Sequence, residues 1–293
     1  MHRGDDAYVR SALPILADLG FAVDQFTPAE AKKKYPQIDF SGVKSIYLER
    51  RAGALSARRA CGVVRDAFVK AGGTYRVGEA KPVSGGSSVE LGDGSKLEAD
   101  VFVFACGPWL GKVFPDVIGD RVHPSRQEVY YFGTPRGSER FSAGHLPIWI
   151  DFGKRIFYGL PDLRARGFKI ADDTRGDAID PTTANRTPTP EGIERARQLI
   201  AERFPGMAKA PLISAEVCQY ENSPDGHLII DRHPLASNTW LLGGGSGHGF
   251  KLSPAVGDIT ARAILNHEPV PPLFSLSRLH EATKTKTQFE SKR

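Results

Sequence analysis

The chain has 293 residues, 40% hydrophobic and 25% charged, with a formal net charge of +5, a composition that suits one large folded domain or two interleaved ones. No apolar run approaches the roughly 18 residues of a membrane helix, and the first ten residues are too polar for a secretory leader. The basic excess is scattered and concentrated after Thr283 without a stripe of interleaved aromatics, which argues against nucleic-acid binding. The three cysteines, Cys61, Cys106 and Cys218, show no framework spacing and point to a reducing compartment. The final Ser-Lys-Arg lacks the leucine of a peroxisomal address. The expected location is the cytoplasm.

In chain order, residues 8–19 predict an amphipathic helix with Val9, Leu13, Ile15, Leu16 and Leu19 on one face. Thr27-Pro28-Ala29-Glu30 has the cap, the first-turn proline and the returning carboxylate of a second helix start. A third helix over 56–71 ends at Gly72-Gly73. Residues 74–77 and 88–91 predict short strands, and Asp93-Gly94 predicts a hairpin into 96–98. The continuous apolar run 100–105 reads as a strand covered on both faces of a largely parallel sheet. It stops at Cys106-Gly107-Pro108-Trp109.

From Val122 the texture changes to short alternating strands at 128–132, 147–151, 155–160 and 167–171, the mark of an antiparallel sheet. Thr189-Pro190-Glu191 opens a helix that runs to Phe204 and is closed by Pro205-Gly206. Strands follow at 212–220, 227–231 and 239–242. The last runs into glycines at 243, 244, 245, 247 and 249, and Ser253-Pro254 predicts the start of the final helix. Two glycines would be an ordinary tight turn. Five within seven residues, with His248 and Lys251 beside them, predict a loop where a flat or anionic group meets bare N–H donors and a positive helix end. The fold class is therefore α/β (α+β): a nucleotide-type domain interrupted by one with a mainly antiparallel sheet. His227, Asp231 and His233 lack the second pair a tetrahedral metal site needs, and no G-x-S-x-G elbow is present.

An ordered set of motifs carries a family resemblance. It comprises Ala105-Cys106-Gly107-Pro108-Trp109, Phe157-Tyr158-Gly159-Leu160-Pro161, Gly167-Phe168-Lys169-Ile170, Glu216-Val217-Cys218-Gln219-Tyr220, the run 225–231, and Gly247-His248-Gly249-Phe250-Lys251. Over roughly residues 5–275 the chain resembles the monomeric sarcosine oxidase family of FAD-dependent N-methyl amino acid oxidases. The resemblance implies an FAD-binding, Rossmann-like domain over 1–115 and 220–280. It implies a substrate-binding domain over 116–219, and leaves 281–293 as a tail.

It further implies that Cys218 carries FAD through a thioether and that Lys169 promotes the reaction with O2. Lys251 would pair with the substrate carboxylate, and Tyr158 and Tyr220 would wall the substrate pocket. Gly107, Trp109, Gly244, Gly245, Gly247, His248, Gly249, Phe250 and Lys251 would line the cofactor. Taken singly, Cys218 reads equally as a small buried hydrophobe and Lys169 as a strand-edge cation. Lys251 alone would be a surface lysine at the helix end that disfavours a cation.

Two features depart from the family pattern. No G-x-G-x-x-G is present, and the sequence opens inside the family's early helical region, past the arginine that would share the substrate carboxylate. An unpaired strand edge is expected where that first βαβ would pair. Asp173 stands where the family has a histidine, which suggests either a substrate with a second cationic group or a local shift of register. The expected reaction is oxidation of a secondary or N-methyl amino acid to an imine, with O2 reduced to H2O2 by a monomer. The alternatives are an amine dehydrogenase of the same fold that uses a protein acceptor, and a truncated, non-catalytic remnant.

Overall fold

The computed structural model describes residues 1–83 and 88–280; the predicted tail 281–293 lies outside the described residues. The elements in order are α1 (Ala7–Asp18), β1 (Val23–Phe26), α2 (Pro28–Lys34), β2 (Ile46–Glu49), α3 (Ala57–Lys70), β3 (Ala80–Val83), β4 (Ser88–Leu91), β5 (Lys96–Leu97), β6 (Phe102–Phe104) and α4 (Leu110–Val113). There follow β7 (His123–Phe132), β8 (Trp149–Phe152), β9 (Ile156–Leu160), β10 (Phe168–Asp172), α5 (Pro190–Arg203), β11 (Leu212–Asn222), β12 (Ile229–His233), β13 (Ala236–Gly243) and α6 (Gly249–Leu265).

The largest sheet has five antiparallel strands in the order β11-β7-β10-β9-β8. Its pleat sorts side chains by parity. Phe168 and Ile170 of β10, Tyr130 and Phe132 of β7 and Trp149 of β8 are buried in one cluster with Ala196, Leu199 and Ile200 of α5. Gly159 has no side chain because a Cβ there would run into the Trp149 indole. Thr189 caps α5 by accepting from the Gly192 N–H at 3.1 Å. Arg203, fully buried at the helix end, donates to Asp151 Oδ2 at 2.6 Å and to the carbonyls of Asp39 and Ser41.

A second sheet of three strands runs β12-β13-β6. β13 and β6 are parallel, with Thr239 opposite Phe102 and Leu241 opposite Phe104. Trp240 and Ile230 pack on Ala263, Val256 and Ile259 of α6, while Leu241 and Ile229 pack on Leu110, Phe114 and Ile118. The carboxyl ends of β6 and β13 thus open side by side, into the 105–109 turn and the glycine loop. In open α/β sheets that is where ligands bind. Among the described residues β6 pairs with β13 alone. Neither α1 nor α3 has a buried residue, and Val63, Val64, Phe68 and Val69 of α3 stand exposed.

Three expectations need correction. The run 100–105 is not covered on both faces of a parallel sheet: among the described residues β6 is an edge strand with Val103 48% exposed, and β12 pairs antiparallel with β13. Residues 74–77 form no strand: pairing with β4 begins only at Ala80 opposite Leu91, and Val77 is 87% exposed. The final helix begins at Gly249, with His248 at the cap position, so Ser253-Pro254 lies within it. Pro254 has no N–H to offer the Phe250 carbonyl one turn back. Ser253 Oγ donates to that carbonyl instead, at 2.8 Å, which is why a cap-and-proline pair is tolerated there.

Candidate active site

The strand register gathers most of the candidate residues on one face of the five-stranded sheet. Lys169 lies opposite Tyr131 and Leu160, Ala171 opposite Tyr158, Cys218 opposite Gln127, and Tyr220 opposite Ser125. Direct partners share a face and every second residue repeats it. Tyr158, Lys169, Cys218 and Tyr220 therefore project away from the α5 core, and Asp173, two beyond Ala171, joins them.

Contacts knit the group together. Lys169 Nζ sits 5.4 Å from the centre of the Tyr158 ring. Burial lowers the Lys169 pKa, and the neighbouring Cys218 opposes that shift. Burial raises the Cys218 thiol, and Lys169 pulls it back. The Tyr158 hydroxyl, hydrogen-bonded to Tyr220, is pushed up to about 12 by burial. Tyr220 is raised further, by burial first and then by Tyr158 and Asp173. Its hydroxyl donates to Asp173 Oδ1 at 3.1 Å. Both phenols are neutral donors at any physiological pH.

The glycine loop closes over this face. Gly244 (φ +69°), Ser246 (φ +46°) and Gly247 (φ +83°) take left-handed backbone. A Cβ on Gly247 would stand 2.5 Å from Tyr220 Cε2, so the backbone rests directly on the tyrosine ring. Ser246, fully buried, donates from Oγ to the Gly244 carbonyl and accepts from the Ser223 N–H at 3.1 Å. The carbonyl of Gly245 accepts from the N–H groups of His248 and Gly249, both at 2.8 Å. Burial and then Lys251 lower the His248 pKa, so the ring is neutral at pH 7. Lys251 is exposed in the first turn of α6 and Phe250 is 43% exposed.

Gly107 (φ +55°) turns the chain after β6. Trp109 faces another way: its indole Nε1 donates to Thr182 Oγ1 at 3.1 Å, and Lys112 pairs with Asp180 at 2.6 Å. Asp180, exposed on the surface, is held near pH 2 by Lys112 and the N–H groups of Thr182 and Thr183. This end of the crevice is thereby pinned to the 174–189 segment.

Two residues escaped the sequence reading. Arg175 lays its guanidinium 5.3 Å from the centre of the Tyr220 ring and donates from Nη2 to the Ser246 carbonyl at 2.8 Å. Glu221 accepts the Gly245 N–H on Oε1 at 3.1 Å. Burial raises its carboxyl to about 7 against the opposing pull of the Gly245 and Gly244 N–H groups. The run Asp172-Asp173-Thr174-Arg175 offered a signal for the first, since residue 175 shares the parity of 173. A carboxylate directly after Tyr220 was the signal for the second.

The residues present suit the isoalloxazine end of a flavin. Aromatic walls, a half-buried cation, a thiol and a loop whose Gly244 and Gly247 leave no room for a Cβ surround one face, and the α6 N-terminus offers N–H groups to an anion. They hold no phosphate-gripping G-x-G-x-x-G.

A family model described as DAO, FAD dependent oxidoreductase, matches residues 3–263. The chain belongs to this family of FAD-dependent oxidoreductases. Its relatives include the monomeric sarcosine oxidase of Bacillus sp. (strain B-0618), 28% identical over 270 residues, covering 90% of this chain and 69% of the relative. Peroxisomal sarcosine oxidase of Mus musculus is also 28% identical, over 89% of this chain and 68% of its own length. Among solved structures, L-proline dehydrogenase from P. horikoshii superposes with a TM-score of 0.78 at 21% identity, over 94% of this chain and 75% of that one. Glycine oxidase from Geobacillus kaustophilus gives 0.75 at 21% identity, over 92% and 70%. This FAD-dependent oxidoreductase thus shares the fold of amino-acid oxidising enzymes. No helix among its described residues is long and apolar enough to cross a membrane.

Proposed function

We propose that this oxidoreductase oxidises a secondary or N-methyl amino acid to the imine, with dioxygen as acceptor and hydrogen peroxide as product. The observation that carries the reading is the single sheet face bearing Tyr158, Lys169, Cys218 and Tyr220 beneath a glycine loop whose residues 244 and 247 leave no room for a Cβ. The reading divides the chain into a cofactor domain over 1–115 and 220–280 and a substrate domain over 116–219.

FAD, when bound, supplies the two-electron acceptor for the hydride leaving the carbon next to nitrogen. Cys218 is the residue that would tether it, and the loop from Gly244 to Gly249 would cradle it. Lys251 in the first turn of α6 receives the substrate carboxylate, where the helix end adds to its charge. Tyr158 and Tyr220 wall the pocket, keep water out and hold the amine in one orientation. Lys169 stabilises negative charge developing on oxygen as it is reduced, an effect that is strong only because its ammonium is partly desolvated. Asp173, fixed by the Tyr220 hydroxyl, selects a substrate with a second cationic group. Imine hydrolysis in water then releases the carbonyl compound and the shortened amine.

The test is an absorbance spectrum of the purified protein before and after acid precipitation, followed by oxygen uptake with N-methylglycine. Yellow colour kept in the pellet of the wild type and lost in Cys218→Ser supports the tether. A colourless protein that consumes no oxygen sinks the proposal. Full oxygen turnover in Lys169→Met would overturn the role of Lys169, and wild-type protein that reduces an artificial electron acceptor but not oxygen would transfer the assignment to a dehydrogenase with a protein acceptor.

A further inference from the structure

Glu221 follows Tyr220 on β11, so the pleat sends its side chain to the opposite face, into the crevice at the carboxyl ends of β6 and β13. There it meets the glycine loop twice over. Its carboxyl accepts the N–H group of Gly245 on Oε1 at 3.1 Å, and its own carbonyl accepts that of Ser246 at 2.9 Å. Two consecutive loop donors therefore end on one residue. Gly245 passes the constraint on, since its carbonyl accepts from His248 and Gly249 at the start of α6.

The contact leaves little room for a side chain at residue 243 or 245. A Cβ on Gly245 would stand 3.0 Å from Glu221 Oε1, and one on Gly243 would stand 3.2 Å from Oε2 and closer still to Leu110 Cδ2. Oε2 is buried with no hydrogen-bond partner in the structure. A carboxylate so placed lacks solvation on one oxygen, which suits a neutral acid whose proton rides on Oε2.

We propose that Glu221 is the positioning residue of the cofactor loop: it sets the backbone of residues 244–246 and, through Gly245, aims the first N–H groups of α6. Gly247 is thereby held on the Tyr220 ring and His248 at the helix cap. The assignment rests on the flavin reading of this crevice, but the loop geometry it predicts can be measured without flavin.

The experiment compares wild type with Glu221→Gln, Glu221→Leu and Glu221→Thr by amide hydrogen exchange and by quenching of FAD fluorescence. Glutamine keeps an acceptor oxygen; leucine removes it; threonine cannot reach the loop and stands in if leucine fails to fold. Loop amides of the leucine or threonine variant should exchange about ten-fold faster than wild type, with β7 and β12 unchanged. FAD should bind about ten-fold more weakly to those variants, while glutamine stays within about three-fold of wild type. Unchanged loop exchange in the leucine and threonine variants, or a loss of protection spread evenly over the protein, would overturn the assignment. Wild-type protein that does not quench FAD at all would instead sink the flavin reading, and the exchange data would still decide the role of Glu221.

Discussion

The five-stranded sheet and the three-stranded sheet are covered in different ways. The first carries Tyr130, Phe132, Phe168, Ile170, Ile200 and Phe204, all at 2% exposure or less, in one continuous core. The second ends in a three-residue edge strand whose Val103 is 48% exposed. Lys169, Tyr158, Cys218 and Tyr220 all stand on the well-packed sheet. The loop that faces them belongs to the other one and is ordered by a handful of side-chain bonds from Glu221, Ser246 and Arg175. Packing fixes the reacting groups; hydrogen bonds to backbone fix the cradle.

The contrast can be broken by mutation, beginning with the largest effect. Phe168→Ala should cost about 3–5 kcal/mol in urea unfolding, because it empties the centre of the large core. If it costs less than about 1 kcal/mol, that core does not dominate stability.

Next come opposite pH responses. The Glu221 carboxyl is raised from 4.5 to about 7 in the folded chain. Between those values the folded state keeps a proton that the unfolded state has released. The stability of the neutral form is complete below pH 4.5 and is lost as pH rises to about 7, by about 3 kcal/mol at most. Glu221→Gln should flatten that limb of a stability curve measured from pH 5 to 8. Asp151 has the reverse sign. Burial pushes its carboxyl up, but Arg3 and Arg203 override this and hold it below its ordinary value. Its contribution is present above that ordinary value of 3.8 and disappears as pH falls through the folded one. Acid should therefore loosen the five-stranded sheet first and mild alkali the glycine loop first, as hydrogen exchange well below pH 3.8 and near pH 8 will read.

Gly247→Ala comes third. Left-handed backbone alone costs about 1–2 kcal/mol with a Cβ, and the Tyr220 ring must also move, so FAD affinity should fall and unfolding should become easier by at least about 1 kcal/mol. Phe68→Ser on α3 is the smallest change, within about 0.5 kcal/mol for so exposed a side chain. A large loss there would mean that the helix is packed after all.

Much of the larger sheet was legible beforehand. Alternation at 128–132, 155–160 and 167–171 follows directly from one buried face, and Thr189-Pro190 announced its helix because a cap and a first-turn proline have one common use. The misreadings share a cause. Ser253-Pro254 has the same chemistry as Thr189-Pro190, but the serine serves a carbonyl within the helix instead of an N–H at its start. Residues 74–77 had strand-forming side chains and no neighbour to pair with, which no local pattern reveals. The site itself was legible through ordered motifs, not periodicity. Glu221 and Arg175 left only a faint signal, a charge beside Tyr220 and one in parity with Asp173, because each bonds a backbone atom, of residues 24 and 71 positions away, that no local pattern identifies.

Adjacent positions on β11 serve two different rooms, a phenol at 220 looking into one and a carboxyl at 221 into the other. A slip of one place along β7 would therefore exchange them outright instead of weakening both a little. The irregular step between Leu212 and Ser214 absorbs an odd residue before the functional run begins. Lengthening or shortening that step is the mutation that would turn the whole strand inside out.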